Sequence, residues 1–119
     1  MPKPLAMIVE DDPQLNKVFH LSLLPSFEVE AVLDGDRALA RLQEVLPDLI
    51  VLDLNLPGVS GRTVLETIRA DERLARIPII IATADALQAD YVRSESDVIL
   101  LKPISPMQLR EIAERLYAR

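Results

Sequence analysis

Three consecutive carboxylates, Glu10, Asp11 and Asp12, directly follow the apolar run LAMIV. Two such charges about 4 Å apart repel by roughly 4 kcal/mol at an effective dielectric constant near 20, so they need a compensating cation. The chain has no cysteine and a single histidine, His20, which excludes thiolate metal sites and a histidine-rich zinc site. Oxygen ligands without sulfur or imidazole are typical of Mg²⁺ or a similar hard cation. The sequence therefore predicts a divalent-cation site after this run.

A further carboxylate, Asp53, lies in the run DLIVLDL, where a buried charge without a role would be costly. Thr83 ends the run PIIIAT, and Lys102 follows the run DVILL. An aspartate can act as a nucleophile and form an aspartyl phosphate, and phosphoryl transfer requires mainly positioning and charge neutralisation. We predict that Mg²⁺ and the Lys102 ammonium neutralise the phosphoryl group, while the Thr83 hydroxyl donates a hydrogen bond to one of its oxygens.

Elements that alternate along the chain must bring these residues together. Apolar runs alternate with segments of helical spacing, which indicates βαβ units and a parallel sheet covered on both faces. The predicted strands are residues 5–9, 28–32, 48–54, 78–83 and 97–101, and the predicted helices are residues 13–24, 36–46, 60–74, 86–93 and 106–117. Ligands of such sheets lie beyond the carboxyl ends of the strands. The candidate residues all lie at or just after the ends of strands, so we expect them at one edge of the sheet.

The first predicted helix has a recognisable N-terminal cap and one apolar face. Asp12 before Pro13 is a favourable N-cap with proline at the first helical position. Helical spacing then places four apolar residues on one face, which we expect to be buried: Leu15, Val18, Phe19 and Leu23.

Composition limits the class of protein. The chain has 119 residues, a net charge of -6 and no Trp, which predicts one domain over residues 1–119 with neither the basic face nor the stacking platform of a nucleic-acid binder. No apolar run approaches the roughly 20 residues of a membrane-spanning helix. A soluble cytoplasmic protein without direct nucleic-acid or membrane binding is expected.

Four motifs in order, MIVEDDP, VLDLNLPGVSG, PIIIATAD and LLKPIS, resemble the signature stretches of bacterial response-regulator receiver domains, the CheY-like superfamily. The resemblance covers nearly the whole chain and implies a (βα)5 α/β fold with a doubly wound, five-stranded parallel sheet in the flavodoxin-like order 2-1-3-4-5. It implies that Glu10, Asp11, Asp53 and the backbone carbonyl of Asn55 bind Mg²⁺. By the same resemblance Asp53 is the phosphoacceptor, Thr83 and Lys102 bind the phosphoryl group, and the peptide bond after Lys102 is cis.

The resemblance also implies partners: a sensor histidine kinase or histidine phosphotransfer protein as phosphodonor, and an output partner or effector domain that the sequence does not identify. Nothing in the fourth and fifth helices requires a homodimer, and the sequence fits either a stand-alone regulator or the receiver of a longer protein. A receiver catalyses only its own phosphorylation and dephosphorylation, so it is a signalling module rather than an enzyme.

The chain departs from the family pattern at two places. Ile99 stands where many receivers have an aromatic residue, and RSESD replaces the usual Gly-Ala before the fifth strand. Ile99 leaves open a second interpretation, a phosphorylation-independent adaptor with a receiver-like fold. A third is a Mg²⁺-dependent phosphatase with an aspartate nucleophile, although Asn55 stands where such enzymes typically have an acidic residue.

Overall fold

The computed structural model describes residues 2–118 as a five-stranded sheet flanked by five helices. All strands are parallel and lie in the order β2-β1-β3-β4-β5, which confirms the predicted fold. The strands are β1 (Leu5–Val9), β2 (Glu28–Val32), β3 (Leu49–Leu52), β4 (Ile79–Thr83) and β5 (Val98–Leu101). The helices are α1 (Pro13–Leu23), α2 (Gly35–Leu42), α3 (Gly61–Ala70), α4 (Ala86–Tyr91) and α5 (Pro106–Ala118). None of these helices is long and apolar enough to cross a membrane.

Both faces of the sheet are buried, because alternate residues of each central strand point to opposite sides. Met7 and Val9 of β1 belong to a core cluster completed by α2 and α3, whereas Ala6 and Ile8 belong to a cluster completed by α1 and α5. This two-sided core explains the continuous apolar runs of β1, β3 and β4. It also fixes the three strands rigidly enough to position the residues that follow them.

Several predicted boundaries and faces are wrong, and side-chain hydrogen bonds explain two of them. The predicted helix 60–74 ends at Ala70, because the Asp71 side chain accepts a bond from Arg73 N at 2.9 Å and turns the chain. The predicted helix 36–46 ends at Leu42, whose carbonyl accepts a bond from the Arg73 guanidinium. On α1 the buried residues are Asn16, Phe19 and Leu23, whereas Val18 is exposed.

The RSESD segment forms a short 3-10 turn, Arg93–Glu95, and then enters β5. Asp97 Oδ2 accepts bonds from Ile79 N at 2.8 Å and from Arg69 Nη2 at 3.1 Å. The Arg69 guanidinium also binds the carbonyl of Glu95. These contacts tie the start of β5 to β4 and α3, so the departure from the family pattern leaves the sheet intact.

Candidate functional site

Three carboxylates converge beyond the ends of β1 and β3. Asp53 N donates to Val9 O at 3.0 Å, so Asp53 follows β3 at the level where Glu10 follows β1. One carboxylate oxygen from each of Glu10, Asp11 and Asp53 lies within 4.8 Å of the others. Oxygens bound to one octahedral Mg²⁺ at about 2.1 Å lie at most about 4.2 Å apart. The three oxygens therefore fit a hard divalent cation after small side-chain adjustments.

Lys102 brings a positive charge to two of these carboxylates. Its Nζ lies 2.5 Å from Glu10 Oε1 and 3.0 Å from Asp53 Oδ2. Burial raises the pKa of the Glu10 carboxyl, because desolvation outweighs the hydrogen bonds that it accepts. Burial alone would lower the pKa of Lys102, but its bonds to Glu10 and Asp53 outweigh that effect and raise it. The ammonium thus stays charged and compensates two nearly inaccessible carboxylates.

Asp12 has a different role from its two acidic neighbours. Its Oδ1 accepts bonds from Gln14 N at 2.9 Å and Leu15 N at 3.3 Å, which confirms the predicted N-cap of α1. Its own N–H donates to Glu10 Oε2 at 3.0 Å. Asp12 therefore starts the helix and restrains the Glu10 side chain, and it lies outside the three-carboxylate cluster.

Residues at the ends of β3, β4 and β5 complete the site. Asn55 N donates to Asp53 Oδ1 at 3.3 Å. Thr83 is fully buried, and its Oγ1 accepts a bond from Asp85 N at 3.2 Å, so the hydroxyl proton is still available for donation. Lys102 N donates to Thr83 O at 2.8 Å, and the Lys102–Pro103 peptide is cis.

A side-chain network links the Asn55 loop to the start of α4. Gln88 Nε2 donates to Asn55 Oδ1 at 2.9 Å and to Asp85 Oδ2 at 3.1 Å. Asp85 also caps α4 by accepting from Gln88 N, and these bonds lower the pKa of the Asp85 carboxyl. The sequence analysis missed Gln88, because no local pattern reports a contact between side chains 33 residues apart.

Asn16 is the other residue that the sequence analysis missed. Its Nδ2 donates to the carbonyls of Glu10 and Val32, both at 3.0 Å. One sequence signal was available, since an amide three residues before Phe19 and seven before Leu23 occupies a position of helical spacing on their face. A buried amide on that face must bind something polar.

Gly61 allows α3 to pack against the backbone of Asp53. A Cβ at Gly61 would lie 1.9 Å from Asp53 O and 2.5 Å from the Leu54 Cα. Helix propensity favours Ala over Gly by about 1 kcal/mol, but these contacts involve buried backbone that has little room to move.

We expect Gly61→Ala to lower the free energy of unfolding by about 3 kcal/mol or more, measured by urea denaturation. Arg62→Ala on the exposed side is the control, and an unchanged Gly61→Ala protein would contradict the packing argument.

Known proteins resemble this chain in sequence, and a solved structure resembles it in fold. The family model for the response regulator receiver domain matches residues 6–114. The chain is 39% identical over 110 residues to the phosphate regulon transcriptional regulatory protein PhoB of Rhizobium meliloti (strain 1021), which covers 89% of this chain and 48% of that protein. It is 35% identical over 117 residues to the DNA-binding response regulator MtrA of Mycolicibacterium smegmatis (strain ATCC 700084 / mc(2)155), with 95% and 49% covered.

A solved structure extends the comparison to a metal-bound protein. It is the receiver domain of sensor histidine kinase PA1611 from Pseudomonas aeruginosa PAO1, described with a magnesium ion coordinated in its active site cleft. The two chains are 30% identical with a TM-score of 0.89, and the match covers 98% of this chain and 99% of the other. By contrast, the chain spans only about half the length of the two regulators.

Proposed function

We propose that this chain, which belongs to the response regulator receiver domain family, is switched by phosphorylation of Asp53 with Mg²⁺ as cofactor. Membership of the family makes it a receiver domain of two-component signalling. One observation carries the residue assignment: Asp53 shares a carboxylate cluster with Glu10 and Asp11 and lies 3.0 Å from the Lys102 ammonium. A carboxylate beside a cation and a hard-metal site has what phosphoryl acceptance requires.

The proposed reaction uses the side chains in distinct roles. A carboxylate oxygen of Asp53 attacks the phosphorus of a phosphohistidine; the new O–P bond forms as the P–N bond breaks, and the electron pair leaves with the imidazole. Glu10, Asp11, Asp53 and the Asn55 carbonyl would hold Mg²⁺, which would supply charge neutralisation when bound. Lys102 neutralises a second side of the phosphoryl group, and the Thr83 hydroxyl donates to one of its oxygens.

The phosphodonor in this proposal is a sensor histidine kinase or a histidine phosphotransfer protein, and the domain works in the cytoplasm. The relative MtrA is described as DNA-binding, but this chain matches only about half of it. We propose that the domain itself, with its net charge of -6, does not bind nucleic acid directly.

Intact-protein mass spectrometry tests the proposed function directly. With a small acyl phosphate and Mg²⁺, we expect the mass of one added phosphoryl group, carried by the peptide that contains Asp53. A metal chelator should prevent the addition, because no other described group replaces the charge that the cation supplies. A protein that stays unmodified with Mg²⁺ present would favour the phosphorylation-independent adaptor, whereas repeated turnover of phosphate esters would favour the phosphatase.

A further inference from the structure

We infer that Asn16 is a positioning residue for the acidic pair: it holds the Glu10–Asp11 peptide in the orientation that the cation site requires. The inference deepens the function proposed above and rests on its metal site. Asn16 lies on the buried face of α1, one helical turn after the Asp12 cap, and is only 2% exposed. Its side-chain hydrogen bonds all go to backbone carbonyls, so its effect on the carboxylates is indirect.

The amide joins the ends of two strands at the point where the acidic turn begins. Asn16 Nδ2 donates to Glu10 O and to Val32 O, both at 3.0 Å, with a longer approach of 3.5 Å to Ile8 O. Val32 O also accepts from Glu10 N at 3.1 Å. The Asn16 Nδ2 atom of α1 therefore links the end of β1 to the end of β2.

These bonds restrain the backbone on both sides of Glu10. The Glu10 N–H is held by Val32 O, and the Glu10 carbonyl is held by Asn16. That carbonyl lies in the same rigid peptide plane as the Asp11 N–H, so fixing it also fixes the direction in which the Asp11 side chain leaves the backbone. This peptide joins Glu10 to Asp11, whose carboxylates converge with that of Asp53.

The two ends of the Asn16 amide differ in what they contribute. Asn16 Oδ1 is buried and has no hydrogen-bond partner among residues 2–118, and an unsatisfied buried acceptor is destabilising. The residues that share its face, Phe19 and Leu23, are apolar. A leucine at position 16 would remove the unsatisfied oxygen. It would also leave the Glu10 carbonyl without the hydrogen bond that Asn16 donates. The donor bonds to the Glu10 and Val32 carbonyls therefore account for the amide, and they place it at the acidic pair.

The test compares Mg²⁺ affinity with stability in Asn16→Leu and Asn16→Ala, which remove the same donor with different side-chain volumes. Calorimetric titration with Mg²⁺ alone should show affinity reduced by about 10- to 100-fold in both variants, the range seen when a group that orients a metal ligand is lost. Leu23→Ala, further along the same helix face, is the matched control. It should melt lower than the wild type and keep its Mg²⁺ affinity within about two-fold, because distant sites act independently.

A second measurement needs no metal. In chelator, amide hydrogen exchange at Glu10 and Asp12, taken relative to the amides of β3, should accelerate in both Asn16 variants. In Leu23→Ala the two sets of amides should keep their ratio, because that variant lowers the stability of the whole domain. Wild-type affinity in the Asn16 variants would overturn the inference and leave Asn16 as an anchor of α1 to the sheet. If the wild-type protein itself binds no Mg²⁺, the proposed metal-dependent function fails, and unchanged exchange at Glu10 would overturn the positioning role separately.

Discussion

Asp53→Asn is expected to reduce phosphorylation by an acyl phosphate and Mg²⁺ by at least about 100-fold, because removing a nucleophile eliminates the covalent step. The amide that replaces the carboxylate is a poor nucleophile and gives up a full negative charge toward the cation. The volume hardly changes, and an amide oxygen can still accept from Asn55 N, which lies 3.3 Å from Asp53 Oδ1. The variant should therefore fold and fail only in chemistry. Mass spectrometry after equal reaction times measures the effect.

Asp12→Asn is the matched control for that experiment. It makes the same chemical change beside the same cluster, but Asp12 lies outside the three-carboxylate cluster and serves as the N-cap of α1. Asn caps helices about as well as Asp, so stability and labelling should stay close to the wild type. Equal labelling of Asp53→Asn and wild type would place the phosphoacceptor at another residue and remove the central assignment of the proposed function.

The position of the site was predictable because it depends on the ends of buried parallel strands. Glu10, Asp53 and Lys102 each follow an apolar run, and parallel strands bring their carboxyl ends to one edge. The buried carboxylates also required a neighbouring positive charge. Lys102, which follows β5, supplies it by contacting both Glu10 and Asp53. Strand periodicity and the cost of buried charge were sufficient for this part of the structure.

Helix ends and polar links were less predictable because side-chain hydrogen bonds decide them. Leu74 continues the spacing of α3 and is buried, yet it lies beyond the helix, because Asp71 turns the chain first. Leu46 continues the spacing of α2 but is exposed, since that helix ends at Leu42. The spacing of apolar residues indicates which side chains favour burial. It does not indicate the side-chain hydrogen bond at which a helix ends.

Ile99 shows how a departure from the family pattern fits this core. It is half-buried against the cluster that includes residues of α2 and α3. Its β-branched side chain has restricted χ1 freedom, so it cannot make the large rotation available to an aromatic side chain. The polar link from Gln88 to Asn55 and Asp85 is a second connection between the site and α4. A movement of α4 away from the Asn55 loop would therefore have to break the hydrogen bond between Gln88 and Asn55.

Lys102→Met is expected to make the stability of the protein depend strongly on Mg²⁺. Glu10 and Asp53 are 2% and 5% exposed, and Lys102 is the cation that contacts both. Leaving buried charges without their partner costs about 3–5 kcal/mol, so in chelator the variant should melt well below the wild type. Saturating Mg²⁺ should restore most of the loss, because the cation takes over the neutralisation of both carboxylates. Thermal melts in chelator and across a Mg²⁺ titration measure the two effects.

Asp11→Asn is the opposite case and supplies the control. Asp11 is exposed and forms no ion pair within residues 2–118, so losing its charge relieves repulsion in the cluster without leaving a cation unpaired. We expect a slightly higher melting temperature in chelator and weaker Mg²⁺ binding, since one oxygen ligand loses its charge.

Stabilisation by a ligand grows with its concentration relative to its dissociation constant. The gain in melting temperature on adding Mg²⁺ should therefore be largest in Lys102→Met, intermediate in the wild type and smallest in Asp11→Asn. A Lys102→Met protein that gains no more than the wild type would show that the ammonium and the cation do not act on the same two carboxylates.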